Sequence, residues 1–191
     1  MKRIVGLVSG TLLLASAALA QQPAPPPVSL ATSLQRAYAG IKKNLTGAAE
    51  KMPAADYDSK PSSMPEVRTF GKLFGHVANA QFGSCAAAKG VPNPNQGQNQ
   101  EMKTTKAEFI KALADSFAFC DDAFSSLTDA NALQMVTRGR GQLTRAAVLA
   151  DLIAHSNEMY GTSGVYLRAK GIVPPSTDEE TAQRGQRGGG H

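Results

Sequence analysis

Long apolar runs, dense charge and cysteine are all scarce in this chain, and each scarcity removes a class of protein. The 191 residues carry 20 Lys and Arg against 15 Asp and Glu, a formal charge of +5. The cations are scattered, from Arg36 through Lys72 and Lys106 to Lys170, with no basic stripe interleaved with aromatics. Nucleic-acid binding is not laid out that way, and the charges read as solvated helix faces. The one apolar run, in MKRIVGLVSGTLLLASAALA, is too short and too rich in small residues for a membrane span of about 20 apolar residues. No stable membrane anchor is expected, and no Cys sits at its end to take a lipid. A Ser-His-Asp or Cys-His nucleophilic arrangement is not evident, and no Glu-x-x-His motif is present, which sets aside the di-iron carboxylate centre of ferritin-like bundles.

Residues 1–20 instead have the form of a secretory signal: Lys2 and Arg3, a short apolar stretch, then Ala18-Leu19-Ala20 as an A-x-A cleavage site. The expectation is a periplasmic or secreted protein cut near Ala20. Subtracting Lys2 and Arg3 takes the charge from +5 to +3, and the remaining ~170 residues are the size of one domain. Residues 21–28 open with QQPAPPP, a proline-rich extended spacer.

Helical spacing then organises the chain. Leu30, Leu34, Ala37, Tyr38, Ile41, Leu45 and Ala48 make one face of a first helix ending near Lys51, capped by Ser29 or Ser33. A second helix is expected from Glu66 to Gly90, with Phe70, Leu73, Val77, Ala80 and His76 inward. A third runs from about Thr105 with Phe109, Leu113, Phe117, Cys120 and Phe124 on one face. SLTDANALQMV reads as a short helical turn, and a fourth helix capped by Thr144 runs to Gly171. With no strand-like alternation the fold class is all-α, a four-helix bundle over residues 29–176. Residues 177–191 read as a disordered polar tail.

The link NPNQGQNQ and its flanks, about 14 residues, is long for an antiparallel helix pair. Extended, it reaches some 45 Å, enough to travel back along a helix of about 30 Å. Helices two and three then run parallel, giving an up-down-down-up bundle with a long crossover. Parallel helices bring Cys85 and Cys120 to similar height, whereas antiparallel ones separate them by roughly 18 Å, too far for a bond. A Cys85–Cys120 disulfide is therefore expected in an exported chain. The alternative is two small buried apolar residues.

The stretches YDSKPSSMPEVRTFGKLFGHVANAQ and HSNEMYGTSGVYLRAKGIVPPS resemble the DinB (damage-inducible, YfiT-like) superfamily, and its secreted bacterial members in particular, over Leu30 to about Ser176. The resemblance implies a four-helix bundle and, commonly, a divalent metal on three histidines. The second-helix ligand falls on His76. The H-x-x-x-H pair of the last helix falls on His155 and on Met159, a departure at a ligand position. Two facing imidazoles suit Zn, Ni, Fe or Cu, while a thioether suits Cu(I) better than Zn or Ni. The cofactor expected is one divalent transition metal (Zn, Ni or Fe) or copper, or none where the pair is a remnant. Glu158, at i+3 from His155, is a substitute ligand if that turn rotates inward, and otherwise a solvated carboxylate. Asn79 and Tyr160 flank the histidines as pocket candidates.

Three classes of function stay open on these residues: a metal-dependent transferase or hydrolase of the DinB/YfiT type, a module binding a metal or small molecule between helices, and a structural or interaction protein with a degenerate site. The resemblance also implies a homodimer.

Overall fold

The computed structural model describes residues 28–188, with side chains to residue 181. The expected signal, residues 1–20, and nearly all of the spacer lie outside the described residues. Five helices and one hairpin follow: α1 Leu30–Lys51, α2 Phe70–Lys89, α3 Lys106–Ser125, β1 Met135–Arg138, β2 Gly141–Thr144, α4 Arg145–Ala169 and α5 Pro175–Gly188. None of the described helices is long and apolar enough to cross a membrane.

Local chemistry fixes most of the helix starts. Ser29 accepts the Thr32 amide ahead of α1, Thr105 and Glu108 form a capping box on α3, and Thr144 accepts the Ala147 amide ahead of α4. The second helix begins later than its sequence suggests, at Phe70 rather than Glu66. Its first amides are claimed from outside: Phe70 N donates to Ser59 O at 2.9 Å and Gly71 N to Tyr57 O at 2.8 Å. Residues 57–59 thus supply the acceptors that a helix N-terminus lacks.

End-to-end contacts set the directions of α1, α2 and α3. Gly71 abuts Phe109, the Ser116 hydroxyl donates to Gln81 Oε1 at 2.6 Å, and Cys85 is disulfide-bonded to Cys120 with Cα atoms 5.3 Å apart. Start meets start, middle meets middle and end meets end, so α2 and α3 run the same way. Against α3, α1 is reversed: Gln35 donates to Phe124 O and Leu127 O, while Lys106 donates to Glu50 O and Met52 O. The core between them holds Tyr38 stacked on Phe124 at 3.9 Å, together with Phe70, Phe74, Phe109 and Phe117.

The hairpin departs from the all-α reading, and a fifth helix adds to the four expected, each with a physical cause. The segment SLTDANALQMV is not a helical turn: its last residues enter β1, which pairs antiparallel with β2, Val136 opposite Leu143 and Arg138 opposite Gly141. The two-residue loop Gly139-Arg140, with Gly139 at φ +60°, suits a tight hairpin. Beyond residue 176 the described chain continues as helix as far as Gly188. Pro175 starts α5 with the φ a first turn needs, and Asp178 and Glu179 near its N-terminus pair with Lys51 and Lys43 of α1. Tyr160 serves the same junction: its hydroxyl donates to Ser176 Oγ at 2.8 Å and accepts the Ser176 amide at 2.9 Å.

Candidate functional site

His76 lies in the first half of α2 and His155 near the middle of α4, and the crossing of these helices brings their rings edge to face, centroids 5.0 Å apart. Each side chain keeps 28 % of its surface exposed, so the pair sits at a surface seam of the bundle.

A third residue completes the arrangement. Glu101, in a 3-10 turn at Gln100–Met102 within the crossover, takes the Nδ1 proton of His76 at 2.8 Å with one oxygen and the Nε proton of Arg68 at 2.9 Å with the other. Burial pushes the Glu101 carboxyl up, but the bonds and charges of Arg68 and His76 together hold it below the usual carboxylate range. As a carboxylate it only accepts, so Nδ1 carries the ring proton and Nε2 of a neutral His76 is left with its lone pair. An imidazole oriented by a carboxylate on its far nitrogen is the usual arrangement around metal-ligating histidines.

The backbone allows Glu101 so close only because Gly75 has no side chain. A Cβ there meets Gln100 O at 2.5 Å and Glu101 Cα at 2.8 Å. The rest of the crossover is pinned from Asn79, whose Oδ1 accepts Asn95 Nδ2 and the Gln100 amide, both at 3.0 Å, while its Nδ2 donates to Asn99 at 2.7 Å. Asn95 and Gln100 are buried and bonded to each other at 2.6 Å. Asn79 thus anchors the crossover, and it also borders a shallow cleft between α2 and the hairpin.

His155 has the opposite situation. Its Nε2 is buried with no hydrogen-bond partner among the described residues, and its Nδ1 is 4.0 Å from Glu158, a carboxylate 72 % exposed. Burial lowers its pKa, the charge of His76 lowers it further, Glu158 opposes, and Arg68 and Arg138 add smaller lowering effects. His155 is held neutral. Met159 is buried and packs with the hydrophobic core. Tyr160 turns to the α4–α5 junction described above, away from a pocket role. A cleft of about 500 Å³ lies between α1 and α5, lined by Lys43, Glu50, Lys51 and Asp178, and neither histidine borders it.

Of the expected residues, the structure brings His76 and His155 together, places Glu158 at the solvent edge, bonds Asn79 to the crossover at the border of a cleft, and bonds Tyr160 to Ser176. Among the described residues no group of three or more His, Cys, Asp or Glu is gathered to hold a metal. Arg68 and Glu101 were not singled out from the sequence. The available signal was slight: Glu101 is the one acidic residue between Gly90 and Thr105.

A family model described as the DinB superfamily matches residues 37–162, a span that includes His76, Glu101, His155 and Met159. No curated protein matches the chain. Among solved structures, a DinB-like protein from Bacillus cereus superposes with a TM-score of 0.62 at 15 % identity, covering 74 % of this chain and 93 % of that one. At that identity the likeness bears on the fold alone.

Proposed function

The chain belongs to the DinB superfamily, and from that premise we propose that it is an exported up-down-down-up helical bundle whose His76–His155 seam binds a transition-metal ion. The directions of α1, α2 and α3 support the bundle reading, and the signal-like residues 1–20 and the disulfide support export. The observation that carries the binding site is the contrast between the two rings: His76 held by Glu101 through Nδ1, and His155 with a buried, unpartnered Nε2. Buried polar atoms are rarely left without a partner.

The donor set fits a two-imidazole centre. His76 and His155 would hold the ion, with the Met159 thioether as the third donor, a combination better suited to Cu(I) than to Zn²⁺ or Ni²⁺. Such an ion supplies Lewis-acid or redox chemistry when bound. The chain's own residues orient the rings: Glu101 fixes the tautomer of His76, Arg68 fixes Glu101, and burial keeps His155 unprotonated and so able to donate its lone pair.

Among the described residues no group of three His, Cys, Asp or Glu is placed to hold a metal, which favours a second reading, in which the pair is a remnant and Arg68, Glu101 and His76 serve to lock the crossover. Elemental analysis of protein purified without chelator from its own host separates the two. Stoichiometric copper that is lost in His155→Ala supports the binding reading. A metal-free protein that gains zinc or nickel only in Met159→His establishes the remnant.

A further inference from the structure

One turn beyond His76, on the hairpin side of the seam, lies a cleft of about 300 Å³. Its floor is Ala80, Gly83, Ser84 and Ala87 of α2, and Arg138 of β1 stands at its rim. Positions i, i+3, i+4 and i+7 share a helix face, so small side chains there leave a trough along α2. Small residues alone make helices pack closely. Here the trough is left open and carries two polar groups with capacity to spare.

Ser84 is 2 % exposed, and its hydroxyl is without a hydrogen-bond partner among the described residues while it lines the cleft. A hydroxyl in that state keeps its donor and its acceptors available to whatever enters the cleft. Arg138 is positioned from two sides: the hairpin register fixes its backbone opposite Gly141, and Asp151 of α4, one turn before His155, accepts from its Nη1 at 3.2 Å. A guanidinium has five N–H donors, so a single bond leaves most of the fork free. The trough continues into a second hollow of about 430 Å³, sharing Ala87 and Thr137 and passing Val91 and Val136. The first hollow alone is at the low end of small-molecule sites, about 300 to 1,000 Å³.

We infer that this trough binds a small organic carboxylate, its anionic group on the free donors of Arg138, its carbon body along Ala80, Gly83 and Ala87, and an oxygen within reach of the Ser84 hydroxyl. Carboxylate is favoured over phosphate by charge: one guanidinium already shared with Asp151 matches a single negative charge, and a phosphate monoester brings nearly two. The site uses neither histidine and stands apart from the metal reading.

Ligand-observed NMR and calorimetry on the full chain test it with hexanoate, 1-hexanol and inorganic phosphate as probes. Hexanoate binds and hexanol does not, and Arg138→Gln weakens hexanoate by about tenfold or more, the worth of a charge-assisted hydrogen bond. Gly83→Leu abolishes it by filling the trough; a Cβ at Gly83 meets nothing closer than Asn93 Nδ2 at 4.0 Å, so the variant folds, as its circular dichroism and melting temperature would report. His155→Ala leaves hexanoate affinity unchanged, which separates this test from that of the metal site. The inference is overturned if hexanoate does not bind, if hexanol binds equally well, if phosphate displaces hexanoate at lower concentration, or if Arg138→Gln and Gly83→Leu bind as the wild type does.

Discussion

Reducing the Cys85–Cys120 bond in the folded protein is expected to cost about as much as truncating a large side chain of the core. The bond joins residues 35 apart, and the ring it closes contains the end of α2, the whole crossover and most of α3. In the chain-entropy model a ring of that length removes about 13 cal/mol/K from the unfolded ensemble, which is about 4 kcal/mol at 25 °C. Both sulfurs are buried, and Cys120 Sγ lies 3.4 Å from the Gln81 carbonyl, so a reduced thiol keeps an acceptor and the loss is dominated by the unfolded state. For a domain of this size the change lowers the melting temperature by roughly 8 to 16 °C. Urea titrations of oxidised protein, protein reduced with a phosphine, and a Cys85→Ala/Cys120→Ala double variant measure it directly. The double variant falls lowest, because it also leaves two small cavities. A reduced protein within about 1 kcal/mol of the oxidised one would show that the crossover is already ordered in the unfolded chain, and the reasoning from ring closure would fail.

Two further outcomes follow from the site. Gly75→Ala forces the backbone of Gln100 and Glu101 away by several tenths of an ångström, and overpacking of that kind costs about 1 to 3 kcal/mol; the His76 ring loses Glu101, visible as a change of its tautomer by ¹⁵N NMR, and an unaltered tautomer would remove Gly75 from the account. His155 is shifted below its ordinary value of 6.5, so below that pH the unfolded chain takes up its proton before the folded one does. Stability therefore rises with pH through this window and is lost as pH falls below about 6.5 toward the folded value. Glu101, also lowered, adds its loss only below 4.5. In His155→Gln the slope just below pH 6.5 should flatten, and an unchanged slope would assign it to another group.

How much of this was legible in the residues divides along the kind of force involved. The four long helices follow from apolar spacing that local packing obeys, and the shared direction of α2 and α3 follows from the length of the crossover and the heights of Cys85 and Cys120. The hairpin was hidden because each strand is only four residues long, too short for alternation to stand out, while the β pairing of Val136 with Leu143 is set by the Gly139-Arg140 turn. Helix α5 was hidden because it has little apolar face; it is held by Pro175 against Gly47 and by exposed ion pairs that no periodicity announces. At the site, His76 and His155 stood out by residue type. Glu101 did not, because its place depends on a glycine's missing side chain at position 75 and on amide bonds from Asn79, both tertiary facts.

The amide mesh around Asn79 also bears on how this protein is free to change over generations. A crossover of this kind is ordinarily where a lineage gains or loses residues at little thermodynamic expense. Here Asn79 engages Asn95, Asn99 and Gln100 at once, so an added residue between them puts at least one buried amide out of register. Length variation among relatives that keep Glu101 beside His76 should fall instead at the hairpin tip and in the residues joining α4 to α5, and the crossover should diverge by substitution while keeping its count.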